Sequence, residues 1–235
     1  MASLQREHHA PEIKETDPIP LLPLAQLFAS EVPGLTGPED CDLLQVLWCP
    51  FDAHGLPRIP DIHLRWRKAS DCGEILTTPP SPPVVGDYEY VPEPCTLHPE
   101  RVVEHEYMEL LSESLQERIT DWEVEQEDTN DDDALTYHHD LSIAPGWKVG
   151  GYASWNVTGV NTFTCSCGIP MQLLLKIDSK EWDGGTRSWV PTEDRELIRT
   201  RDASVPTQVT VGRAGSLNIF ACPVDPTHPH RVSLQ

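Results

Sequence analysis

The chain has 235 residues, of which 38% are hydrophobic and 23 are proline, and its 38 acidic side chains outnumber 17 basic ones to give a formal net charge of −21. Such a length suffices for one large domain or two small ones with a buried core. The charge argues against nucleic-acid phosphates or an anionic membrane surface as direct partners, and no apolar run is long enough to cross a bilayer.

The first hundred residues contain a polar arm and two clear strand patterns. Residues 1–20 are polar and interrupted by prolines, which predicts a disordered arm, and residues 21–235 are expected to form a single domain. The apolar run Leu43–Trp48 predicts a buried strand that ends at Cys49-Pro50. In His63–Arg67 apolar and polar side chains alternate, which predicts a half-buried strand.

A helix is predicted over residues 100–121, with Pro99 at its start. Apolar side chains recur there every four residues, at Val103, Tyr107, Leu111, Leu115 and Ile119. This spacing is typical of a helix that buries one face, so we expect an amphipathic helix packed on a sheet.

An acidic loop is predicted over residues 122–140 and contains Asp131, Asp132 and Asp133. Two interpretations stay open: a docking tail for a basic partner, or a solvated, self-repelling loop. The loop ends in His138-His139-Asp140, which suggests either a general base with its orienting carboxylate or a surface patch that offsets the acidic charge.

The second half begins with glycines interleaved with aromatic residues. The candidate binding residues are Trp147, Lys148, Gly150, Gly151 and Trp155. In one interpretation Lys148 contacts a ligand carboxylate; in the other the two glycines only permit a sharp turn while the tryptophans pack in a core. Two further buried strands are predicted, at Met171–Ile177 and Leu217–Ala221.

Two segments of the chain match each other without gaps. Leu44–Asp52 and Leu217–Asp225 both consist of a mostly apolar strand that runs into Cys-Pro-x-Asp. The simplest explanation is a duplicated unit, with half-units at about residues 21–98 and 145–235; chance similarity between buried strands is the alternative. Together with the helix, this predicts an α+β fold with two related antiparallel sheet units.

Several motifs together resemble the YwqG-like family of unknown function, in its actinobacterial form. They are Leu43–Asp52, Gly146–Tyr152 with Trp155, Cys167-Gly168 with Met171 and Leu173–Leu175, and Gly215–Leu217 with Phe220–Pro223. The resemblance implies an α+β fold of two related sheet units. It also implies a distant kinship with programmed cell death protein two and its relatives, which act as chaperones of a ribosomal protein. Some bacterial members of the family are suspected of being immunity factors. No enzymatic activity is established for the family.

A zinc site is the best candidate for site chemistry. Cys165 and Cys167 precede one predicted strand, while Cys222 and either His228 or His230 follow another. Zinc takes about four nitrogen and sulfur ligands, usually from two neighbouring turns. Antiparallel pairing of the two strands would bring the cysteine turn close to Cys222, and a zinc site then requires the Sγ atoms of Cys167 and Cys222 to lie within about 8 Å of each other.

The zinc interpretation competes with a simpler one. Many relatives in the resembled family carry Cys-x-x-Cys, whereas this chain has the shorter Cys165-Ser166-Cys167. Free cysteines are also commonly buried as small hydrophobic side chains. The cofactor prediction is therefore no cofactor or one structural zinc. Seven cysteines without a recognisable secretory signal predict a reducing, cytoplasmic location.

No coherent catalytic set is recognisable in the sequence, because no nucleophile is accompanied by a base and an oxyanion hole. The predicted function is accordingly a non-catalytic, chaperone-like, cytoplasmic module that binds a basic partner protein. One alternative is an immunity protein that neutralises a cognate toxin. The other is a zinc-assisted hydrolase that uses the cysteine neighbourhood.

Overall fold

The computed structural model describes residues 17–51, 59–74, 76–78, 80–127 and 134–235 of the chain. Contacts group the chain into two units. The first contains the residues up to Pro99 together with Thr207–Gly212; the second contains Glu100–Pro206 and Arg213–Gln235. Two antiparallel sheets and one long helix confirm the predicted α+β class. Most of the predicted arm, residues 1–16, lies outside the described residues.

The first unit is built on a three-stranded antiparallel sheet. Its strands are β1 (Leu22–Phe28), β2 (Leu43–Trp48) and β3 (Ile62–Arg67), in the order β1-β2-β3. The apolar run of β2 supplies the core, because Leu44 and Trp48 are completely buried. The Trp48 indole N–H donates to the Tyr90 carbonyl at 2.9 Å, which satisfies the one polar atom of this buried ring.

The second unit contains a four-stranded antiparallel sheet. Its strands are β4 (Lys148–Val149), β5 (Gln172–Asp178), β6 (Ser216–Ala221) and β7 (Arg231–Leu234), in the order β4-β5-β6-β7. One face of β5 and β6 is apolar, with Ile177, Leu217 and Ile219 fully buried. The sequence predicts β5 and β6 but not the short edge strands, since β4 and β7 lack a continuous apolar run.

The strands β1-β2-β3 and β5-β6-β7 have the same order and the same antiparallel pairing. The two matched sequence segments occupy the middle strands, β2 and β6. Cys49-Pro50 and Cys222-Pro223 directly follow the last residues of these strands, where a proline without an N–H cannot extend the ladder. The two Cys-Pro strand ends therefore occupy equivalent positions in the two sheets.

The long helix, α1, spans Glu113–Glu127, so the prediction of a helix over 100–121 is wrong in its bounds. The preceding segment contains only a 3₁₀ turn, Met108–Leu110, and tertiary hydrogen bonds hold its first part in a non-helical conformation. The carboxylate of Glu104 accepts from the backbone N–H of Ala144 at 2.8 Å and of Tyr152 at 2.6 Å. These long-range contacts override the local helical periodicity.

The predicted apolar stripe does not form a core face. Val103 is 79% exposed and Leu115 is 37% exposed, while Tyr107, Leu111 and Ile119 are half-buried. None of the described side chains of α1 is buried. The expectation that this helix packs on a sheet through the stripe is therefore wrong, because the pattern begins in a segment that is not helical.

The predicted acidic loop over 122–140 is also corrected. Residues 122–127 continue α1, and Tyr137–Ser142 form a single π-helical turn. Thr136 begins this turn, and its hydroxyl accepts from the His139 backbone N–H. Asp131, Asp132 and Asp133 lie outside the described residues. In the part of the chain that the structure describes, no helix has the length and apolar character needed to span a membrane.

Candidate metal centre

The first half of the candidate site is a tight turn that leads into β5. The Cys165 backbone N–H donates to the Ile169 carbonyl at 2.9 Å, and the Gly168 N–H donates to the Cys165 carbonyl at 2.9 Å. Gly168 has φ +86°, a conformation that favours glycine. The turn therefore presents two thiols, those of Cys165 and Cys167, just before β5; Ser166 alone separates them in the sequence.

The second half of the site is the loop that follows β6, which begins at Cys222 and returns to it at His228. The Asp225 carboxylate folds this loop, because its Oδ1 accepts from the Thr227 N–H at 2.9 Å and from the Thr227 hydroxyl at 2.6 Å. The His228 N–H then donates to the Asp225 carbonyl at 3.1 Å. This local hydrogen bonding is a common use of aspartate in turns.

Antiparallel pairing of β5 and β6 brings the two halves together, with Gln172 opposite Ala221. The Sγ atoms of Cys167 and Cys222 lie 3.6 Å apart, well inside the predicted 8 Å limit. Cys165 Sγ lies 3.3 Å from His228 Nδ1. All four ligand atoms are within 4.8 Å of one another.

This geometry fits a tetrahedral metal ion. Zinc–sulfur bonds of about 2.3 Å place two sulfur ligands about 3.8 Å apart in a tetrahedron, close to the 3.6 Å between Cys167 and Cys222. The cluster of Cys165, Cys167, Cys222 and His228 can therefore hold a metal ion. Of the two histidines left open by the sequence, it is His228 that belongs to this cluster and not His230.

A carboxylate orients the histidine of the cluster. His228 Nε2 lies 3.5 Å from Asp225 Oδ2, while Nδ1 points to the thiols. Metal-binding histidines commonly donate their other ring nitrogen to a carboxylate, which fixes the tautomer and the ring. Asp225 is a residue that the sequence reasoning did not select, although its place in both copies of Cys-Pro-x-Asp was visible.

The electrostatics of the cluster favour thiolates. A hydrogen bond from the Asp225 backbone N–H, assisted by His228, lowers the pKa of Cys222 to about 6. The Cys167 backbone N–H lowers the pKa of Cys165, and the hydrogen bond with Cys222 raises the pKa of His228. Because a thiolate is the form that ligates metals, two of the three cysteines are prepared for binding.

The site is anchored on an apolar cluster of buried side chains that includes Cys165 and Cys222. Trp155 stacks on Phe220 with ring centroids 5.9 Å apart, and both are buried beside Cys165 and Cys222. Cys167 is the exposed member of the ligand set. The site is thus a loop pair anchored on a packed core with one ligand at the surface.

The other predicted binding residues occupy structural positions in the second unit. The Trp147 indole N–H donates to the Asp178 carbonyl at 2.7 Å. Lys148 is 9% exposed and forms an ion pair with Glu104. Gly150 and Gly151 both have positive φ, as a sharp turn after β4 requires. The prediction that this segment contacts a partner or ligand stays a prediction.

The sequence reasoning missed a polar face on the second sheet. His138 and His139 lie on the π-helical turn and line a cavity with Lys176 and Asp178 of β5. The sequence signal for this polar face was Lys176, a lysine inside the apolar run of β5. The π-helical turn is a structural signal, because such turns are frequent at functional sites.

Fold and site together define an α+β protein with a candidate Cys₃His metal centre. A comparison with protein-family models finds no match, and comparisons with curated proteins and with solved structures find no significant match either. The resemblance to the YwqG-like family therefore stays a prediction based on its sequence motifs.

Proposed function

We propose that this chain is a non-catalytic, cytoplasmic module of the YwqG-like family that binds a basic protein in a chaperone-like manner and contains one structural zinc ion. The observation that carries the partner assignment is an acidic stripe along α1. The stripe consists of exposed acidic side chains four residues apart, at Glu113, Glu117, Asp121 and Glu125.

The acidic stripe lowers the stability of the helix that carries it. Like charges at positions i and i+4 destabilise a helix by about 0.2–0.5 kcal/mol per pair. The last turn of α1 contains no basic side chain, although a cation there would interact well with the helix dipole. A basic partner would offset this repulsion, which supports a binding role for the stripe.

A groove beside the stripe supports the same assignment. It has a volume of about 430 Å³ and is lined by Glu113, Glu117 and Asp121, with Met108 at its wall. Carboxylates arranged in this way fit arginine or lysine side chains, since arginine pairs bidentately with carboxylates. The net charge of −21 would further accelerate encounter with a cationic surface.

The donor set of the metal centre supports a structural rather than a catalytic zinc. A catalytic zinc keeps one coordination position for water or substrate, whereas structural zinc is held by four protein ligands. The cluster offers four, from Cys165, Cys167, Cys222 and His228. This donor set favours a binding module over a zinc-assisted hydrolase.

The partner assignment is tested by affinity purification from the native host, followed by mass spectrometry. Wild-type protein should enrich a basic protein whose association rate falls as salt rises. The triple variant Glu113→Gln, Glu117→Gln and Asp121→Asn should slow that association at least tenfold at low salt.

A matched control removes the same charge elsewhere in the second unit. Glu193, Asp194 and Glu196 lie in a short 3₁₀ segment and do not line the groove, so neutralising all three should leave association nearly unchanged. If both triple variants slowed association equally, the effect would come from net charge alone, and the groove would not be the binding site.

The zinc assignment is tested by metal analysis of protein purified without chelator. One zinc per chain is expected for the wild type and for Cys72→Ser, which changes an exposed cysteine outside the cluster. Cys165→Ser should lose the metal. A wild-type protein without stoichiometric zinc contradicts the zinc assignment but leaves the partner assignment standing.

A further inference from the structure

The second unit encloses a cavity of about 260 Å³ against the polar face of its sheet. Lys176 and Asp178 of β5 and Ser216 of β6 contribute to the lining on one side. His138 and His139, on the π-helical turn, contribute on another. The cavity shares no lining residue with the cysteine cluster, so its chemistry is independent of the metal.

Lys176 is the most deeply buried charged group of this cavity. Its side chain is 3% exposed, and its Nζ lies 3.0 Å from Asp178 Oδ2 and donates to the Ala144 carbonyl at 2.8 Å. An ammonium group has three N–H donors. Among the described residues these two contacts satisfy two of them, so one donor remains for a molecule in the cavity.

Neighbouring side chains extend the polar character across β5 and β6. Asn218 pairs with Lys176 and Ser216 pairs with Asp178 in the strand register, so these four side chains lie on one face of the sheet. The hydroxyls of Ser154 and Ser216 are 2.9 Å apart. Asn218 is fully buried, and its Oδ1 has no hydrogen-bond partner among the described residues.

The first unit shows that this fold does not require a buried lysine here. The positions equivalent to Lys176 and Asn218 are Gln26 and Gln45, which pair in the register of β1 and β2. The Gln45 amide donates to Gln26 Oε1 at 2.9 Å, and Gln26 is exposed. A buried ionisable group that costs stability and faces a cavity indicates a binding site.

The carboxylates that line the cavity are already engaged. Asp178 contacts Lys176 Nζ and accepts from the Lys180 backbone N–H at 3.3 Å. Asp183 Oδ1 accepts from the Gly185 N–H at 2.8 Å and from the Thr186 N–H at 3.1 Å. The groups that remain for a ligand are therefore mainly donors.

We propose that this cavity binds a small organic carboxylate, whose oxygen atoms accept hydrogen bonds from Lys176 Nζ and from the ring N–H groups of His138 and His139. Partial desolvation lowers the pKa of His138, which favours its neutral ring, and a neutral imidazole offers one N–H donor. A water molecule occupies about 30 Å³ in the liquid. The volume of 260 Å³ thus fits a ligand of up to about nine non-hydrogen atoms.

Titration of the full chain with succinate tests this inference. Isothermal calorimetry at constant ionic strength should show saturable binding, and ¹H–¹⁵N spectra should show shifts at His138, His139 and Ser216. Succinamide has the same size without the charge and should bind at least tenfold more weakly. The double variant Lys176→Met and Asp178→Asn removes both buried charges together and should weaken succinate binding at least tenfold.

Two further variants separate loss of binding from loss of folding. His138→Gln combined with His139→Gln changes only exposed side chains and should weaken binding at least threefold. Gln26→Met changes the equivalent position in the first unit and should leave the Kd unchanged. The inference is overturned by no saturable succinate binding, by equal binding of succinamide, by tighter binding of inorganic phosphate, or by an unchanged Kd in both cavity variants.

Discussion

In the first unit, Cys49 directly follows the middle strand of its sheet; in the second unit, Cys222 occupies the same place. Burial raises the pKa of Cys49. The turn around Asp225 lowers the pKa of Cys222 to about 6, and the Cys167 thiol lies 3.6 Å away. The same strand end thus yields a buried thiol in one unit and a candidate metal ligand in the other.

The difference arises outside the repeated strand. In the second unit a turn with two cysteines precedes β5 and a loop after β6 returns at His228, and these supply the remaining ligand atoms. Residues 52–58, which follow β2 in the first unit, lie outside the described residues. The second unit also contains the π-helical turn Tyr137–Ser142, which helps to enclose the polar face of the sheet. Strand pairing builds the scaffold in both units, whereas the added segments build the candidate sites.

The first prediction separates the two equivalent cysteines. Cys222→Ser should lose the metal and lower stability by several kcal/mol, with a fall in Tm on the order of 10 °C, because binding of a structural metal is coupled to folding. Cys49→Ser should keep the metal and cost about 1–2 kcal/mol for a buried hydroxyl. Thermal melts with parallel metal analysis measure both; equal metal content in the two variants would remove the distinction.

A second prediction compares how the cores of the two units respond to the loss of one buried leucine. Leu44 and Leu217 are matched residues of β2 and β6, and both are fully buried. Each change to alanine should cost about 3 kcal/mol, from lost burial and the cavity left behind. Urea unfolding followed by tryptophan fluorescence measures this cost, and a loss below about 1 kcal/mol in either unit would show that its core is loosely packed.

A third prediction concerns β4, which has no counterpart among the described residues of the first unit. Burial and the nearby Lys176 lower the pKa of Lys148 from 10.5 to about 8, although Glu104 acts in the opposite direction. Between these two pH values the unfolded state binds more protons at this position than the folded state, so folding stability rises with pH.

The variant Lys148→Met isolates this contribution. The stability of the wild type relative to this variant should rise by about 2 kcal/mol between pH 8 and pH 10. Urea unfolding midpoints measured for both proteins across this pH range give their difference in stability. The titration of other groups cancels from this difference, because both proteins share those groups. A difference that does not change with pH would contradict the assignment of Lys148 as a buried, destabilised cation.

The smallest effect is expected outside both sheets. Leu115 on α1 is 37% exposed, so Leu115→Asp should cost less than about 1 kcal/mol and change the Tm by no more than a few degrees. Leu217→Asp on β6 is the contrast and should prevent stable folding of the second unit, since it places an unpaired charge in a core. A large loss from Leu115→Asp would mean that α1 has a buried face after all.

The central strands and the cysteine cluster could be predicted from the sequence. The apolar run of β2 matched its observed bounds, Leu43–Trp48, and that of β6 lay within one residue of them, because a continuous buried strand leaves a purely local pattern. Antiparallel pairing then required the turn before β5 to meet the end of β6, which placed Cys167 next to Cys222. Residue type and the expected antiparallel pairing thus located the three cysteines of the candidate metal centre, whereas the structure selected His228 over His230.

The tertiary structure alone decided which segments were covered. The apolar spacing from Val103 onward is typical of a helix, but hydrogen bonds from Ala144 and Tyr152 to Glu104 hold its first part in a non-helical conformation. Likewise, β5 and β1 look alike as strands, yet Lys176 of β5 is buried beside a cavity whereas the equivalent Gln26 of β1 is exposed. Periodicity indicates the local secondary-structure preference of a segment, whereas burial depends on partners that are distant in the sequence. The helix bounds and the polar cavity are therefore set only in the folded chain.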